Sequence, residues 1–409
     1  MTSPVAPPDS TLRTRLDALR RDLRTVANDL LGRRLPPFER RAPLLRHERA
    51  APPPSAAREV LAPRAVRIER VVRETQDAVT IHLVDPTGAP FAFLPGQFLT
   101  LLVEVGGEPL RRAYSICTGA DEDPSRVAIT SKRVPGGRVS NHLNDHAREG
   151  DALRVLGPSG NFTVAPDAAR RRDLWLIGGG SGITPLLSIA RSVLAVEPGS
   201  RVQLVYGNRS WDDVIFREAL AALEAAHPGR FAVRHVLEAP PEGWAGRAGR
   251  LTAGVCAEEM EALANGAAGE SEPPEFFVCG PDAMMAAARE ALLARGVPRS
   301  RIHEERFSSP GREAAPRSIA PQSITIRVGR GSRAVTAAPG QTVLEAGLAA
   351  GVPMPFSCAM GGCGACKVRL VEGHVEMEEP NCLSAEEREE GFVLACASRA
   401  TRPTVVEVP

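Results

Sequence analysis

Four cysteines near the end of the chain have the residue type and the spacing that a redox group requires. Three of them lie in the run CAMGGCGAC, separated by four and then by two residues, and the fourth follows after 29 more residues. Thiolates at this C-x4-C-x2-C…C spacing hold [2Fe–2S] clusters. The sequence therefore predicts an electron-carrying cluster whose ligands are Cys358, Cys363, Cys366 and Cys396.

Two other uses of clustered thiols agree less well with this spacing. Structural zinc sites prefer ligands two residues apart in two separate halves, and the thiols of a reduced core do not cluster in this way. Gly361, Gly362 and Gly364 allow the backbone to approach a cluster closely, and their amides can donate to its sulfurs. Cys382 lies outside the spacing and is expected to be a packed thiol. The chain opens without the apolar run of a signal peptide, so a disulfide framework is not expected.

A glycine-rich turn offers a second chemistry, the binding of a nucleotide phosphate. The segment LIGGGSGITP follows a predicted buried strand and opens a predicted helix, with Thr184 expected as the N-cap and Pro185 as the first helical residue. The segment differs from the G-x-G-x-x-G fingerprint, and a glycine-rich turn by itself is weak support for a nucleotide site. The residues that would let a phosphate approach the backbone are Gly178, Gly179, Gly180, Ser181 and Gly182.

Three stretches of the chain must position these groups. Residues 65–165 consist of short strand-like runs separated by turn residues, which predicts an antiparallel β-barrel. Residues 166–308 alternate strands with helices, which predicts an α/β doubly wound parallel sheet. Residues 309–321 have the composition of a linker. Residues 322–409 begin with paired strands and then carry the cysteines, so the chain is predicted to be multidomain.

Residues 1–64 form a separate N-terminal extension. Six apolar residues with a 4-3-4-3-4 spacing predict an amphipathic helix over about residues 10–32, followed by a Pro- and Arg-rich tether. Three roles stay open: packing against the rest of the chain, docking to a partner protein, and binding to a membrane surface. The apolar residues are Leu12, Leu16, Leu19, Leu23, Val26 and Leu30.

Several motifs together resemble the ferredoxin–NADP reductase superfamily. The segments RAYS and GRVSNHL resemble its flavin motifs, while GGGSGITP and CGP resemble its nicotinamide motifs. Residues 322–409 resemble a plant-type ferredoxin, which implies a β-grasp α+β domain. The resemblance covers about residues 65–409. It is strongest to bacterial oxygenase reductases with a C-terminal ferredoxin, the group of the phenylacetyl-CoA epoxidase and 3-ketosteroid hydroxylase reductases.

The resemblance implies an FAD site on the predicted barrel. Arg112 would face the FAD pyrophosphate, Tyr114 would pack on the flavin, and the Ser115 hydroxyl would lie near flavin N5. RAYS alone would otherwise be an ordinary strand end with an exposed Arg. The implied cofactor contacts are Arg112, Ala113, Tyr114, Ser115, Gly137, Val139 and Ser140.

The resemblance also implies a nicotinamide site and the residues closest to hydride transfer. Cys279, Gly280 and Pro281 would line the nicotinamide, although a buried strand thiol is the simpler interpretation of Cys279. Glu305 and Phe307 would lie beside the flavin ring, as a proton relay or as a shield. The catalytic candidates are Ser115, Cys279, Glu305 and Phe307.

The end of the next predicted strand bears on the choice of coenzyme. An acid there would bind the ribose 2′-hydroxyl of NADH, whereas an Arg suits the 2′-phosphate of NADPH. The residues Asn208, Arg209 and Ser210 therefore favour NADPH over NADH. Asp212 and Asp213 follow closely and act against this preference.

These motifs predict an NAD(P)H oxidoreductase that passes electrons through FAD and a [2Fe–2S] cluster to a separate oxygenase, hydroxylase or fatty-acyl desaturase. No oxygen-activating motif stands out in the sequence. The alternative is a redox sensor or stand-alone electron carrier, which would not need a hydride site. A flavohaem enzyme would need a globin, and 64 residues cannot hold one.

Charge patterning adds an expectation about partners and location. The net charge is +1, so no global field favours nucleic acid. Between Glu372 and Glu390 the sequence holds eight Glu and one Arg. This run is either a solvated face or an acidic surface that steers a basic partner. A cytoplasmic location is expected, with peripheral contact at the inner face of the membrane left open.

Overall fold

The computed structural model describes residues 63–264, 272–307 and 320–409, apart from positions 357, 359, 360, 363, 379, 380, 382 and 384. The predicted N-terminal helix and its tether, most of the predicted linker, and both Cys363 and Cys382 therefore lie outside the described residues. Among the helices that are described, none is long and apolar enough to cross a membrane. Three separate main sheets confirm the prediction of a multidomain chain.

The first sheet is antiparallel and has six strands. They are β1 (Arg64–Thr75), β2 (Ala78–Val84), β3 (Phe98–Val105), β4 (Glu108–Ser115), β5 (Arg126–Lys132) and β6 (Ala152–Ser159). The strand order is β4-β3-β6-β1-β2-β5, and a single bridge between Ile116 and Ile129 links the chain after β4 to β5. Alternating apolar residues such as Ile81 and Leu83 fill its core. Helix α1 (Arg138–His146) buries Val139 and Leu143.

The second sheet is parallel and also has six strands. They are β7 (Asp173–Gly179), β8 (Arg201–Asn208), β9 (Phe231–Leu237), β10 (Arg247–Ala248), β11 (Glu275–Cys279) and β12 (Ile302–Glu305). The helices are α2 (Ile183–Val196), α3 (Arg217–Ala226), α4 (Ala253–Ala264) and α5 (Asp282–Ala294), with 3-10 turns at Gly180–Gly182 and Arg299–Arg301. The order β10-β9-β8-β7-β11-β12 reverses direction beyond β7. Ligands of such sheets bind at the carboxyl ends of the strands at this reversal, here the ends of β7 and β11.

The third sheet is mixed and has five strands, in the order β14-β13-β19-β15-β17. These strands are β13 (Gln322–Val328), β14 (Gly331–Ala337), β15 (Lys367–Glu372), β17 (Phe392–Leu394) and β19 (Thr404–Val408), and a small sheet pairs β16 (Val375–Met377) with β18 (Ser398–Ala400). Helix α6 (Val343–Ala349) begins with a capping box formed by Thr342 and Glu345, and α7 spans Ala385–Glu389. The core of this unit includes Cys366 and Cys396.

Candidate functional site

The glycine-rich turn follows β7 and packs against the end of the neighbouring strand β11. Gly180 has φ +52°, a conformation that glycine adopts without strain. A Cβ at Gly182 would collide with the carbonyl group of Cys279 and would lie 2.7 Å from the amide nitrogen of Gly280. Because no side chain fits there, the turn after β7 can lie directly against the end of β11. Gly182 is therefore required for packing as well as for any approach of a phosphate.

The predicted helix cap at Thr184 is wrong. Helix α2 begins at Ile183, and its N-cap is Gly182, which provides no side-chain bond. The buried Thr184 hydroxyl instead donates to the carbonyl of Ser181 at 3.0 Å. Pro185 lies in the first turn of the helix, where its missing N–H costs no intrahelical bond. The difference arises because the 3-10 turn runs directly into the α-helix.

Three of the predicted catalytic residues come together at one place. Cys279 at the end of β11 pairs in parallel register with Glu305 at the end of β12. Ser115, at the end of β4 in the antiparallel sheet, donates its hydroxyl to Oε2 of Glu305 at 3.5 Å. The fourth residue, Phe307, follows β12 by two positions and is 49% exposed. The strand ends of two sheets thus build a common surface.

Burial keeps the titratable groups of this surface neutral. It raises the pKa of Glu305 to about 8, with a smaller contribution from the charge of Cys358, while the Ser115 hydroxyl acts in the opposite direction. Burial also raises the pKa of the Cys279 thiol well above its ordinary value. At neutral pH this surface therefore presents a protonated carboxyl and a thiol, and Glu305 can hold or release a proton at its carboxyl oxygen.

The predicted flavin residues of β4 differ in their surroundings. The Arg112 guanidinium donates to the carbonyl of Arg111 at 2.6 Å, and no carboxylate in the described parts of the chain forms an ion pair with it. It can therefore receive a phosphate. The Tyr114 hydroxyl accepts a hydrogen bond from Ser131 at 3.3 Å, and burial raises its pKa. Ala113 packs against Phe98 beside Cys358.

The second predicted flavin motif forms the start of helix α1. Gly137 is the N-cap, so the amides of the following residues lie in the first turn without intrahelical partners. The Ser140 hydroxyl accepts from the amide of Val134 at 3.1 Å. Val139 is buried in the core of the antiparallel sheet and offers only its backbone to a ligand. The donor set, backbone amides and a guanidinium, suits a pyrophosphate.

The coenzyme-choice residues lie at the carboxyl end of β8. Asn208 is buried, and neither polar atom of its side chain makes a hydrogen bond of good geometry among the described residues, although the side chain lies close enough to the Tyr206 hydroxyl to oppose the rise in the pKa of that group. Such an unpaired buried amide is expected where a ligand supplies the partner. Arg209, in contrast, is paired with Asp213 at 2.6 Å and with Asp77 at 3.3 Å. The Ser210 hydroxyl donates to Asp213 at 2.8 Å.

Sequence reasoning missed Lys132. Its ammonium nitrogen lies 3.3 Å from the position that a Cβ at Gly180 would occupy, so a cation faces the glycine-rich turn. Burial lowers the pKa of Lys132, and the charge of Arg209 lowers it further. The feature of the sequence that could have drawn attention to Lys132 is composition, because only Lys132 and Lys367 among the 50 Lys and Arg residues are lysines.

Three of the four predicted cluster ligands converge, and the fourth, Cys363, lies outside the described residues. The sulfurs of Cys366 and Cys396 are 3.1 Å apart. The Gly361 amide donates to the Cys396 sulfur at 3.1 Å, and the Gly362 amide donates to the Cys358 sulfur at 3.4 Å. Buried thiols with amide donors at their sulfurs suit an iron–sulfur cluster.

The cysteine loop contacts the antiparallel sheet directly. The buried Thr100 hydroxyl of β3 donates to the carbonyl of Cys358 at 3.4 Å, and the neighbouring Phe98 packs against Cys358. A cavity of about 440 Å³ lies alongside and is lined by Phe98, Glu305, Gly362 and Gly364, among others. The Glu305 surface and the cysteine loop therefore border the same space.

Profiles of three protein families match successive parts of the chain. The oxidoreductase FAD-binding domain matches residues 66–164, and the oxidoreductase NAD-binding domain matches residues 176–290. The 2Fe-2S iron-sulfur cluster binding domain matches residues 326–401. The chain therefore carries domains for FAD, for NAD(P)H and for a [2Fe–2S] cluster.

Two relatives match over nearly their whole length. The chain is 36% identical over 349 residues to a component of the 1,2-phenylacetyl-CoA epoxidase of Escherichia coli K12, which covers 84% of this chain and 96% of that protein. It is 37% identical over 359 residues to the ferredoxin reductase component of 3-ketosteroid-9-alpha-monooxygenase from Mycobacterium tuberculosis. That match covers 83% of this chain and 94% of that protein. The chain belongs to the ferredoxin–NADP reductase superfamily. This reductase is an NAD(P)H oxidoreductase of the oxygenase-reductase type with a C-terminal plant-type [2Fe–2S] domain.

Solved structures agree with this assignment. Phthalate dioxygenase reductase, described as a modular structure for electron transfer from pyridine nucleotides to [2Fe-2S], matches with a TM-score of 0.54 and 26% identity. The match covers 87% of this chain and all of the phthalate dioxygenase reductase chain. The Amycolatopsis cytochrome P450 reductase GcoB matches with a TM-score of 0.52 and 31% identity over 60% of this chain and 70% of that one.

Proposed function

We propose that the reductase takes hydride from NAD(P)H and delivers electrons singly to a separate oxygenase, hydroxylase or fatty-acyl desaturase. The relatives named above are components of an epoxidase and of a monooxygenase, which supports an oxygenase partner. The observation that carries the proposal is the shared space between Glu305 and the cysteine loop. When bound, FAD supplies the conversion between two-electron hydride transfer and single-electron transfer to the [2Fe–2S] cluster.

The flavin end of the proposed path depends on residues of the antiparallel sheet. Arg112 binds the pyrophosphate of FAD, and the first turn of α1 after Gly137 donates its amides to it. Tyr114 packs on the flavin, and Ser115 orients its reacting edge. Glu305 holds a proton at its carboxyl beside Ser115. These roles are supported by the Arg112 guanidinium, which pairs with no described carboxylate, and by the Ser115–Glu305 hydrogen bond.

The nicotinamide end depends on the reversal point of the parallel sheet. The turn Gly179–Gly182 and Lys132 bind the coenzyme phosphates, and Asn208 binds the adenosine ribose. Cys279, Gly280 and Pro281 line the nicotinamide. The buried unpaired amide of Asn208 and the cation facing Gly180 support this placement.

The cluster end completes the proposed path. Cys358, Cys363, Cys366 and Cys396 hold the iron atoms, and Thr100 fixes the loop to the flavin domain. The proposed domain limits are residues 65–165, 166–308 and 322–409, with 309–321 as linker. We also propose that the antiparallel sheet closes as a barrel, which the bridge between Ile116 and Ile129 supports, and that the third unit is a β-grasp domain.

A cysteine substitution tests this order of electron carriers. Cys366→Ser should remove the cluster, so that NAD(P)H still bleaches the flavin but electrons no longer reach cytochrome c. Cys256→Ser is the matched control, because Cys256 is also a buried free thiol but lies on α4. Rapid cytochrome c reduction by the Cys366→Ser protein would place the exit at the flavin and reject the proposal.

The partner is proposed to dock on the acidic face of the ferredoxin domain. Two of its acids are already neutralised, because Glu378 pairs with Arg399 and Glu387 pairs with Lys367, each at 2.6 Å. The exposed Glu372, Glu389 and Glu390 remain on the surface and define the acidic face.

Ionic strength tests this docking face. Electron transfer to the partner oxygenase should slow as salt rises from about 20 to about 200 mM, because the Debye length shortens from about 20 to about 7 Å. Glu389→Gln with Glu390→Gln should flatten that dependence. Glu242→Gln, an exposed acid of the nicotinamide domain, is the control. A rate that salt leaves unchanged would contradict the proposal.

The N-terminal extension is proposed as a separate contact, since its amphipathic pattern calls for a covering surface. Deleting residues 1–64 should leave reduction of artificial acceptors intact if the predicted helix docks to the partner or to a membrane surface. If the helix instead packs against the reductase, the deletion should lower the temperature of unfolding. The two outcomes separate these roles.

A further inference from the structure

A three-residue ion-pair cluster occupies the surface where the adenosine ribose is proposed to lie. Nη2 of Arg209 is 2.6 Å from Oδ1 of Asp213 and 3.3 Å from Oδ2 of Asp77. Asp77 belongs to the turn between β1 and β2 of the flavin domain, 132 residues earlier in the chain. One nitrogen of the guanidinium is therefore shared by carboxylates of two different domains.

The second oxygen of Asp213 is also engaged. It accepts a hydrogen bond from the Ser210 hydroxyl at 2.8 Å. Ser210 therefore donates to the Asp213 carboxylate and not to a phosphate. Although burial opposes ionisation, the hydrogen bonds from Ser210 and Arg209 hold the pKa of Asp213 below its ordinary value. Asp213 is thus a carboxylate at neutral pH.

The charges around this surface cancel. Lys132 and Arg209 contribute two positive charges, and Asp77 and Asp213 contribute two negative charges. A 2′-phosphate is a dianion and would enter a region without net positive charge, next to the Asp213 carboxylate. A 2′-hydroxyl can instead donate to that carboxylate, as it does to the ribose-binding acid of other dinucleotide folds.

We propose that Asp213 selects NADH over NADPH, with Asp77 as a positioning residue that keeps Arg209 away from the 2′-phosphate. This inference rests on the proposed nicotinamide site and reverses the preference that Arg209 alone suggests. The sequence could not show it, because the pairing with Asp77 joins distant segments of two domains.

Replacing each carboxylate by its amide tests the selection. The measured quantity is kcat/KM for NADPH divided by kcat/KM for NADH, with ferricyanide as acceptor. It should be below one in the unmodified protein. Asp213→Asn should raise it about tenfold, equivalent to about 1.4 kcal/mol, and Asp77→Asn should raise it about threefold. Asp212→Asn is the charge-matched control, because the Asp212 side chain is 98% exposed, and should change the ratio less than twofold.

Two further measurements separate selection from a structural effect. Adding Arg209→Ala to the Asp213→Asn protein should return the NADPH/NADH ratio to its original value, because the released Arg209 guanidinium is what binds the 2′-phosphate. Isothermal titration calorimetry with adenosine 2′,5′-bisphosphate and with 5′-AMP measures nucleotide affinity without turnover. In the Asp213→Asn protein the affinity for the bisphosphate should rise relative to that for 5′-AMP by the same factor.

The outcomes are distinguishable. A ratio above one in the unmodified protein, or an Asp213→Asn protein whose ratio and nucleotide affinities do not move, would overturn the selection by Asp213. If both nucleotides bind with the expected difference but neither NADH nor NADPH bleaches the flavin, the selection stands and the proposed hydride transfer fails.

Discussion

A single methyl group at Gly182 should damage the nicotinamide end of the reductase. The new Cβ would lie 2.7 Å from the amide nitrogen of Gly280 and closer still to the carbonyl of Cys279, whereas real Cβ contacts essentially never fall below 3.0 Å. The end of β11 must therefore retreat. Overpacking of this kind costs about 1–3 kcal/mol, and a displacement of about 1 Å at a reacting group costs about 100-fold in rate.

The assay compares Gly182→Ala with Gly254→Ala. The Cβ of the control meets nothing within 4 Å and lies on helix α4, so this substitution should stabilise the protein by up to about 1 kcal/mol. Stopped-flow flavin bleaching by NAD(P)H should slow about 100-fold in Gly182→Ala and stay unchanged in the control. The unfolding temperature should fall in the first and not in the second.

One result would refute this reasoning. If Gly182→Ala unfolds at the same temperature and its flavin bleaches at the same rate, then β7 and β11 do not need to meet at this turn. The glycines would then serve phosphate binding alone, and the close packing of Gly182 against Cys279 would be irrelevant to catalysis.

Three more predictions follow from individual contacts. Thr100→Val should leave flavin bleaching unchanged but slow the reduction of the cluster, followed by its EPR signal, because the bond to the Cys358 carbonyl is lost. Glu305→Gln should abolish a step near pH 8 in the rate of flavin reduction, since burial raises the pKa of Glu305 to about 8. Burial lowers the pKa of His235 to about 4, so the unfolded state binds more protons between pH 6.5 and 4. The free energy of unfolding should fall by about 3 kcal/mol over that range, and urea titrations of His235→Phe should show a flatter dependence.

The sequence predicted what short spacings carry. The cysteine run predicted a cluster because its ligands, apart from Cys396, are close together in the sequence. The strand, turn and helix around Gly178 predicted a turn that binds a nucleotide phosphate. Motifs of this kind need only a few neighbouring residues. The family matches confirmed the FAD, NAD(P)H and [2Fe–2S] cofactors that these motifs implied.

The sequence failed where contacts join distant segments. Local rules favoured Thr184 as a cap, but the 3-10 turn moved the helix start to Ile183. The ion pair between Arg209 and Asp77 joins residues 132 positions apart, and it was not visible when Arg209 was read as a phosphate ligand. Thr100 and the Cys358 loop are 258 residues apart, and no periodicity or spacing relates them. Such pairs are fixed by how the domains pack, which a single sequence does not display.

The most direct test of the account is an anaerobic reaction of the reductase with stoichiometric NADH, followed together by visible absorbance and by EPR. The account predicts that the flavin bleaches first and that the EPR signal of the reduced [2Fe–2S] cluster then grows as flavin absorbance returns. A flavin that stays reduced while the cluster remains oxidised would contradict electron transfer from the flavin to the cluster held by the Cys358 loop.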